Sequence, residues 1–145
     1  MFKAKWQMCD ITTEQHLTDM VQLFNATDHS AGAFDTETTG LHIIASQPFL
    51  FQFGWVTSNL MGYTFTIDLE LNPELAYRTI KAWHKLAKTL EVYLAHNTKY
   101  DLHMLANIGL PYMEPNLSDF MFYIRYAHDN VAPKNGGPPL KLKPY

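Results

Sequence analysis

Three acidic residues of this 145-residue chain, Asp35, Glu37 and Asp101, have the type and spacing that suit chemistry. Asp35 and Glu37 stand two apart at the end of a short apolar segment, Gly32-Ala33-Phe34. On an extended strand such residues share a face. Two carboxylates held that close repel each other, and one takes up a proton unless a cation compensates. Hard oxygen ligands suit magnesium or manganese rather than zinc. Asp101 follows a second apolar segment, Val92 to Ala95, and Asn97 lies four residues before it. Residues four apart on a helix share a face. A strand, a short turn and a polar helix face put both residues at the edge of a sheet, where ligands bind in α/β folds. One Asp-x-Glu in a turn, or one Asn-x-x-x-Asp on a helix, is ordinarily a solvated acid or a cap. The two together, each after an apolar strand, point to a site.

The elements that must position these residues are legible from periodicity. Lys5 to Cys9 reads as a short strand, and Gly32 to Asp35 as a buried one ending at a polar turn, Thr36 to Gly40. Phe49, Phe51, Phe53 and Trp55 alternate with Leu50, Gln52, Gly54 and Val56, a strand of period two. Tyr63 to Ile67 and Val92 to Ala95 are further strands. Thr12 with Gln15 fits a capping box, after which Leu17, Met20, Val21 and Phe24 form one helical stripe. Pro73 opens a helix whose buried face is Ala76, Ile80, Trp83, Ala87 and Leu90. Asn97 suits the N-cap of a helix through Ile108, which Gly109 and Pro111 stop. Ser118 or Asp119 would cap a last helix to about Ala127. This order predicts an α/β fold, a mixed sheet covered by helices. Residues 1–130 read as one domain, and 131–145, rich in Pro and Gly, as a tail or linker.

Bulk composition narrows the class without naming a function. Nearly half the residues are hydrophobic, which implies a packed domain. The lone Cys9 cannot form an internal disulfide, no apolar run reaches the length of a membrane span, and no signal-peptide pattern opens the chain. The expected location is cytoplasmic, with no membrane partner. A net charge of −3 shows no excess of cations for phosphate binding, so nucleic-acid recognition has to reside in a local site. Arg78, Lys81, Lys85 and Lys88 form a basic stripe that reads as a solvated helix face. The histidines show no paired zinc-ligand spacing.

Two segments resemble a known family. FDTETTGL at 34–41 resembles the first motif of the DEDD 3′→5′ exonucleases. LAHNTKYDLHML at 94–105 resembles the second, in the Asn-x-x-x-Asp form of the proofreading domains of family A, phage-like DNA polymerases. The resemblance spans about Gly32 to Tyr145 and implies a ribonuclease H-like mixed sheet. It implies that Asp35, Glu37 and Asp101 are catalytic and hold Mg²⁺ or Mn²⁺, two ions in a complete site, with Asp35 bridging them. Such ions, about 3.5–4 Å apart, activate water and stabilise the leaving oxygen. It further implies that Asn97 contacts the terminal nucleotide and that Leu41 packs on its base. Thr36 and Thr38 would present groups to the sugar-phosphate, and His96 would line the cleft. The expected substrate is a single-stranded DNA 3′ end, in a bacterial or phage-infected cell.

The family's third motif, Tyr-x-x-x-Asp or a His version, does not follow Asp101. Tyr126 to Asp129 is one residue too short, and Asp119 fits a helix cap better. The expectation is therefore a C-terminally truncated domain holding three of four carboxylates. A proofreading fragment, a domain completed by a polymerase domain or a second chain supplying the missing motif, and a catalytically incomplete module that binds a DNA end or a polymerase partner all stay open.

Overall fold

Alternating apolar and polar residues assemble into a six-stranded mixed sheet. The structure, a computed structural model, describes residues 5–111 and 116–122. The elements are β1 (Lys5–Asp10), α1 (Glu14–Ala26), β2 (Ala31–Thr38), β3 (Pro48–Val56), β4 (Met61–Asp68), α2 (Pro73–Ala87), β5 (Val92–Ala95), α3 (Thr98–Asn107) and β6 (Leu117–Asp119). The strand order is β1-β4-β3-β2-β5-β6. The pairs β4–β3 and β3–β2 are antiparallel, whereas β1–β4, β2–β5 and β5–β6 are parallel. The 131–145 segment lies outside the described residues.

One face of the sheet carries the core. Phe51, Phe53 and Trp55 of β3 are buried, as their alternation predicts, with Phe34 of β2 and Phe65 of β4 on the same side, whereas Phe49 is exposed where the pairing shifts between Glu37 and Thr38. The helices α1 and α2 cover this face through aromatic contacts. Phe24 meets Trp55 edge-on at 5.0 Å, and Trp83 lies 4.8 Å from Phe53. Both indole N–H groups find acceptors: Trp83 donates to the Tyr93 hydroxyl at 3.0 Å, and Trp55 to Thr27 Oγ1 at 3.1 Å. That satisfies the polar ends of two large buried side chains. Of the basic stripe, Arg78 pairs with Glu14, and Lys81 sits 5.2 Å from the Tyr77 ring centroid. No described helix is long and apolar enough to cross a membrane.

Four local expectations are corrected. The N-cap of α1 is Thr13, whose side chain accepts from the His16 N–H, not Thr12. The helix α2 ends at Ala87, although Leu90 beyond it stays buried. The strand β2 runs on through Thr38 rather than stopping at Asp35, because β3 continues alongside and pairs Thr36 with Phe51 and Glu37 with Leu50. Cross-strand pairing overrides the turn-like composition of that stretch. The fourth concerns the expected last helix: β6, three residues too short to show a period, pairs with β5 before it, a helical stretch opens at Phe120 with Asp119 accepting from the Met121 N–H, and the part toward Ala127 lies outside the described residues.

The paired strands β3 and β4 approach each other closely at Gly54. A methyl group added at Gly54 would collide with the Tyr63 carbonyl oxygen and lie 3.2 Å from the Thr64 Cα. These are backbone atoms of the paired strand and cannot swing aside. Gly54→Ala is expected to destabilise the fold by about 1–3 kcal/mol, read as a lower urea midpoint. An unchanged midpoint would show that β4 yields at no cost.

Candidate active site

The central strand outruns its parallel neighbour. Both β2 and β3 pair along their full shared length, but β5 pairs only with Ala31 to Ala33. Beyond Ala33 the edge of β2 is no longer paired with β5. Asp101, on the first turn of α3, takes that place. The Thr36 N–H donates to Asp101 Oδ1 at 3.2 Å, and the Thr36 hydroxyl donates to the same oxygen at 2.6 Å. An unpaired ladder N–H is thus satisfied by a carboxylate instead of a strand carbonyl.

Asp101 is only 2% exposed. Burial pushes its carboxyl up to about 7; the two Thr36 hydrogen bonds oppose this, and the charges of Asp35 and Asp119 add to it. A carboxyl in that state binds a proton readily and releases it to a cation.

Asp35 and Glu37 occupy the face of β2 opposite Phe34 and Thr36. Gln52, the cross-strand partner of Asp35, donates from Nε2 to Glu37 Oε1 at 3.5 Å. This face forms a trough of about 490 Å³ with a floor of small and apolar residues, including Ala33, Gly54 and Leu94. Asp35 and His96 line it, and Phe120 stands beside His96 with ring centroids 6.4 Å apart.

The three carboxylates therefore share one strand end. Among the described residues, no three acidic, histidine or cysteine side chains are arranged to hold a metal ion as they stand. Asp101 Oδ1 is bound to Thr36. The donor chemistry still fits a hard divalent ion, because the oxygens are carboxylate and one acid is held against its preferred ionisation.

The other expected contact residues separate into groups. Thr36 is buried, and both its donors are engaged by Asp101, so it positions that acid rather than facing a sugar-phosphate. Thr38 Oγ1 lies 2.8 Å from both the Gly40 carbonyl oxygen and the Tyr100 hydroxyl, and Tyr100 also donates to that carbonyl. This cluster ties α3 to the loop after β2. The loop is braced further on: the His42 N–H donates to Ser46 Oγ at 3.0 Å, and Asn107 Nδ2 donates to the Ile43 carbonyl at 2.8 Å. On this braced loop Leu41 is 82% exposed. Asn97 occupies the N-cap position of α3, in the left-handed region at φ 58° and ψ 49°, but its side chain makes no capping hydrogen bond. The capping acceptor is Asp119, from β6. Sequence reasoning missed the Thr36–Asp101 bond, the Tyr100 tie and the reach of Asp119 to α3, since each joins residues more than twenty positions apart.

A family model described as 3′–5′ exonuclease matches residues 8–128. The chain belongs to the 3′–5′ exonuclease family. Solved structures share the fold of this exonuclease domain. The catalytic core of RRP6 from Trypanosoma brucei is 18% identical with a TM-score of 0.59, over 84% of this chain and 31% of that one. Escherichia coli RNase D, an exoribonuclease involved in structured RNA processing, is 24% identical with a TM-score of 0.54, over 88% of this chain and 30% of that one. The EXD2 exonuclease domain, soaked in Mn and GMP, is 16% identical with a TM-score of 0.58, over 86% of this chain and 62% of that one. The exonuclease domain thus spans about a third of the RRP6 and RNase D chains. No curated protein shows a significant sequence match. The fold is the ribonuclease H-like mixed sheet flanked by helices that the motifs imply.

Proposed function

We propose that this exonuclease domain removes nucleotides from the 3′ end of single-stranded DNA, with Mg²⁺ or Mn²⁺ held by Asp35, Glu37 and Asp101. The observation that carries the reading is the bonding of Asp101, through Thr36, to the strand end that bears Asp35 and Glu37. Divalent ions bound there supply a more acidic water and stabilisation of the leaving oxygen. The protein's own part is positioning: Thr36 holds Asp101, Gln52 steadies Glu37, and the Tyr100–Thr38 cluster braces the loop bearing Leu41. Leu41, Asn97 and His96 receive the terminal nucleotide, with Leu41 against its base. An apolar contact of that kind reads no base identity, so sequence preference is weak. Thr38 stands beside the sugar-phosphate path. The Asn97-x-x-x-Asp101 form of the second motif favours DNA and a proofreading setting. The fourth carboxylate and the water-orienting group come from outside the described residues, from a polymerase domain or a second chain.

Single-stranded DNA and RNA oligonucleotides labelled at the 5′ end test the proposal directly. With Mn²⁺ at pH 8, the DNA is expected to yield a ladder shortened from its 3′ end, faster than RNA of the same sequence and abolished by chelation. Preferential shortening of RNA overturns the substrate assignment. Retained binding with no shortening, even after addition of a chain carrying a Tyr-x-x-x-Asp segment, overturns the catalytic one.

A further inference from the structure

Asp119 stands out because its carboxylate serves an element other than its own. It lies in register with Ala95, the last residue of β5, on the parallel strand β6. Its Oδ1 accepts from the Asn97 N–H at 3.0 Å and its Oδ2 from the Thr98 N–H at 2.9 Å. Oδ1 also accepts from the Met121 N–H at 2.9 Å. Both oxygens are thus occupied by backbone donors.

A helix N-terminus leaves its first N–H groups without intrahelical partners, and the N-cap side chain ordinarily satisfies one. In α3 the N-cap residue, Asn97, does not do so. A carboxylate from a neighbouring strand does it instead, and its negative charge also suits the positive end of the helix. Two consequences follow. The Asn97 side chain is left out of the cap while its backbone is held left-handed, a conformation that Asn tolerates better than most residues. The first turn of α3 is pinned to the sheet, and Asp101 sits on that turn, where it meets Thr36.

We propose that Asp119 is a positioning residue of the exonuclease site: by clamping the Asn97 and Thr98 amides it presents the Asn97 side chain to the substrate and sets the reach of Asp101 to the end of β2. Its two oxygens serve three backbone N–H groups, and the proposed role is support rather than ligation. The inference rests on the exonuclease reading above.

The test compares the full chain with Asp119→Asn and Asp119→Ala, measuring single-turnover cutting as a function of Mn²⁺, and Tm. Asp119→Asn keeps the shape but sets an NH₂ group against a backbone N–H, breaking one arm of the clamp. Displaced supports of this kind typically cost about 10–100-fold in metal affinity or activity. The expected result for Asp119→Asn is about a 10-fold rise in half-saturating Mn²⁺ and a 10–100-fold slower cut, with a larger effect for Asp119→Ala. A lowered Tm with unchanged half-saturating Mn²⁺ and unchanged cutting overturns the proposal and makes Asp119 a purely structural cap. Should Asp119→Ala fail to fold, Asp119→Asn decides. All cutting is measured with the chain carrying the Tyr-x-x-x-Asp segment added; if the parent then does not cut, the exonuclease reading fails and this role falls with it, whereas a parent that cuts beside unaffected variants sinks the positioning role alone.

Discussion

Asp35→Ala is expected to slow removal of 3′ nucleotides by on the order of 10³-fold, and Glu37→Ala by on the order of 10²–10³-fold, as loss of one preorganised charge-stabilising group typically does. Of the two β2 acids, Asp35 is the one whose charge acts on Asp101, so its loss is expected to be the more costly. Neither change should harm the fold. Both side chains lie on the face of β2 away from the aromatic core, and removing Asp35 relieves a repulsion felt by Asp101. Equal or higher Tm beside lost activity is therefore the signature of a functional role. Single-turnover cutting of 5′-labelled single-stranded DNA with Mn²⁺ gives the rate. An Asp35→Ala chain that cuts as fast as its parent would move the metal site elsewhere.

Asp101→Asn should have opposite effects on stability and on metal response. The folded carboxyl titrates near 7 against an ordinary value of 3.8. Between those values the folded state holds a proton that the unfolded state has released, so stability falls as pH rises. The loss begins above the unfolded value and is complete once pH exceeds the folded one. Asn removes the ionisation yet keeps an oxygen to accept from Thr36. The metal-free Asp101→Asn chain is therefore expected to match its parent near pH 4 and to exceed it at pH 8 by up to a few kcal/mol, on the order of 5–10 °C in Tm. Added Mn²⁺ should raise the Tm of the parent at pH 8, because a ligand bound only by the folded state stabilises it. It should leave Asp101→Asn almost unmoved. Thermal scans at both pH values, with and without Mn²⁺, check all four cases, and equal melting of the two chains at pH 8 without metal would show that Asp101 is not held as a strained acid. The comparison has to be between chains at one pH, since buried His84 adds a slope of the other sign. Burial holds His84 at about 3, with the Lys88 charge adding to the effect, so its stabilising contribution is lost as pH falls below 6.5.

Strand and helix identities were legible in the residue order because burial on one face imposes a period. The alternation of Phe51, Phe53 and Trp55 marked β3, and the spacing of Ala76, Ile80, Trp83 and Ala87 marked α2. The candidate acids stood out in the residue order because an Asp-x-Glu and an Asn-x-x-x-Asp each follow an apolar strand. Boundaries were less so: Thr36 to Thr38 look like a turn by composition and join the sheet only because β3 runs beside them.

Residue order set the chemical groups and the local elements that carry them. The tertiary structure alone decided which groups meet. That Asp101 Oδ1 binds Thr36, that Asp119 rather than Asn97 caps α3, and that Tyr100 braces the loop before Leu41 all depend on where β5 ends relative to β2 and where β6 docks. Period and propensity act over one or two turns of chain, whereas these contacts join residues brought together only by sheet pairing.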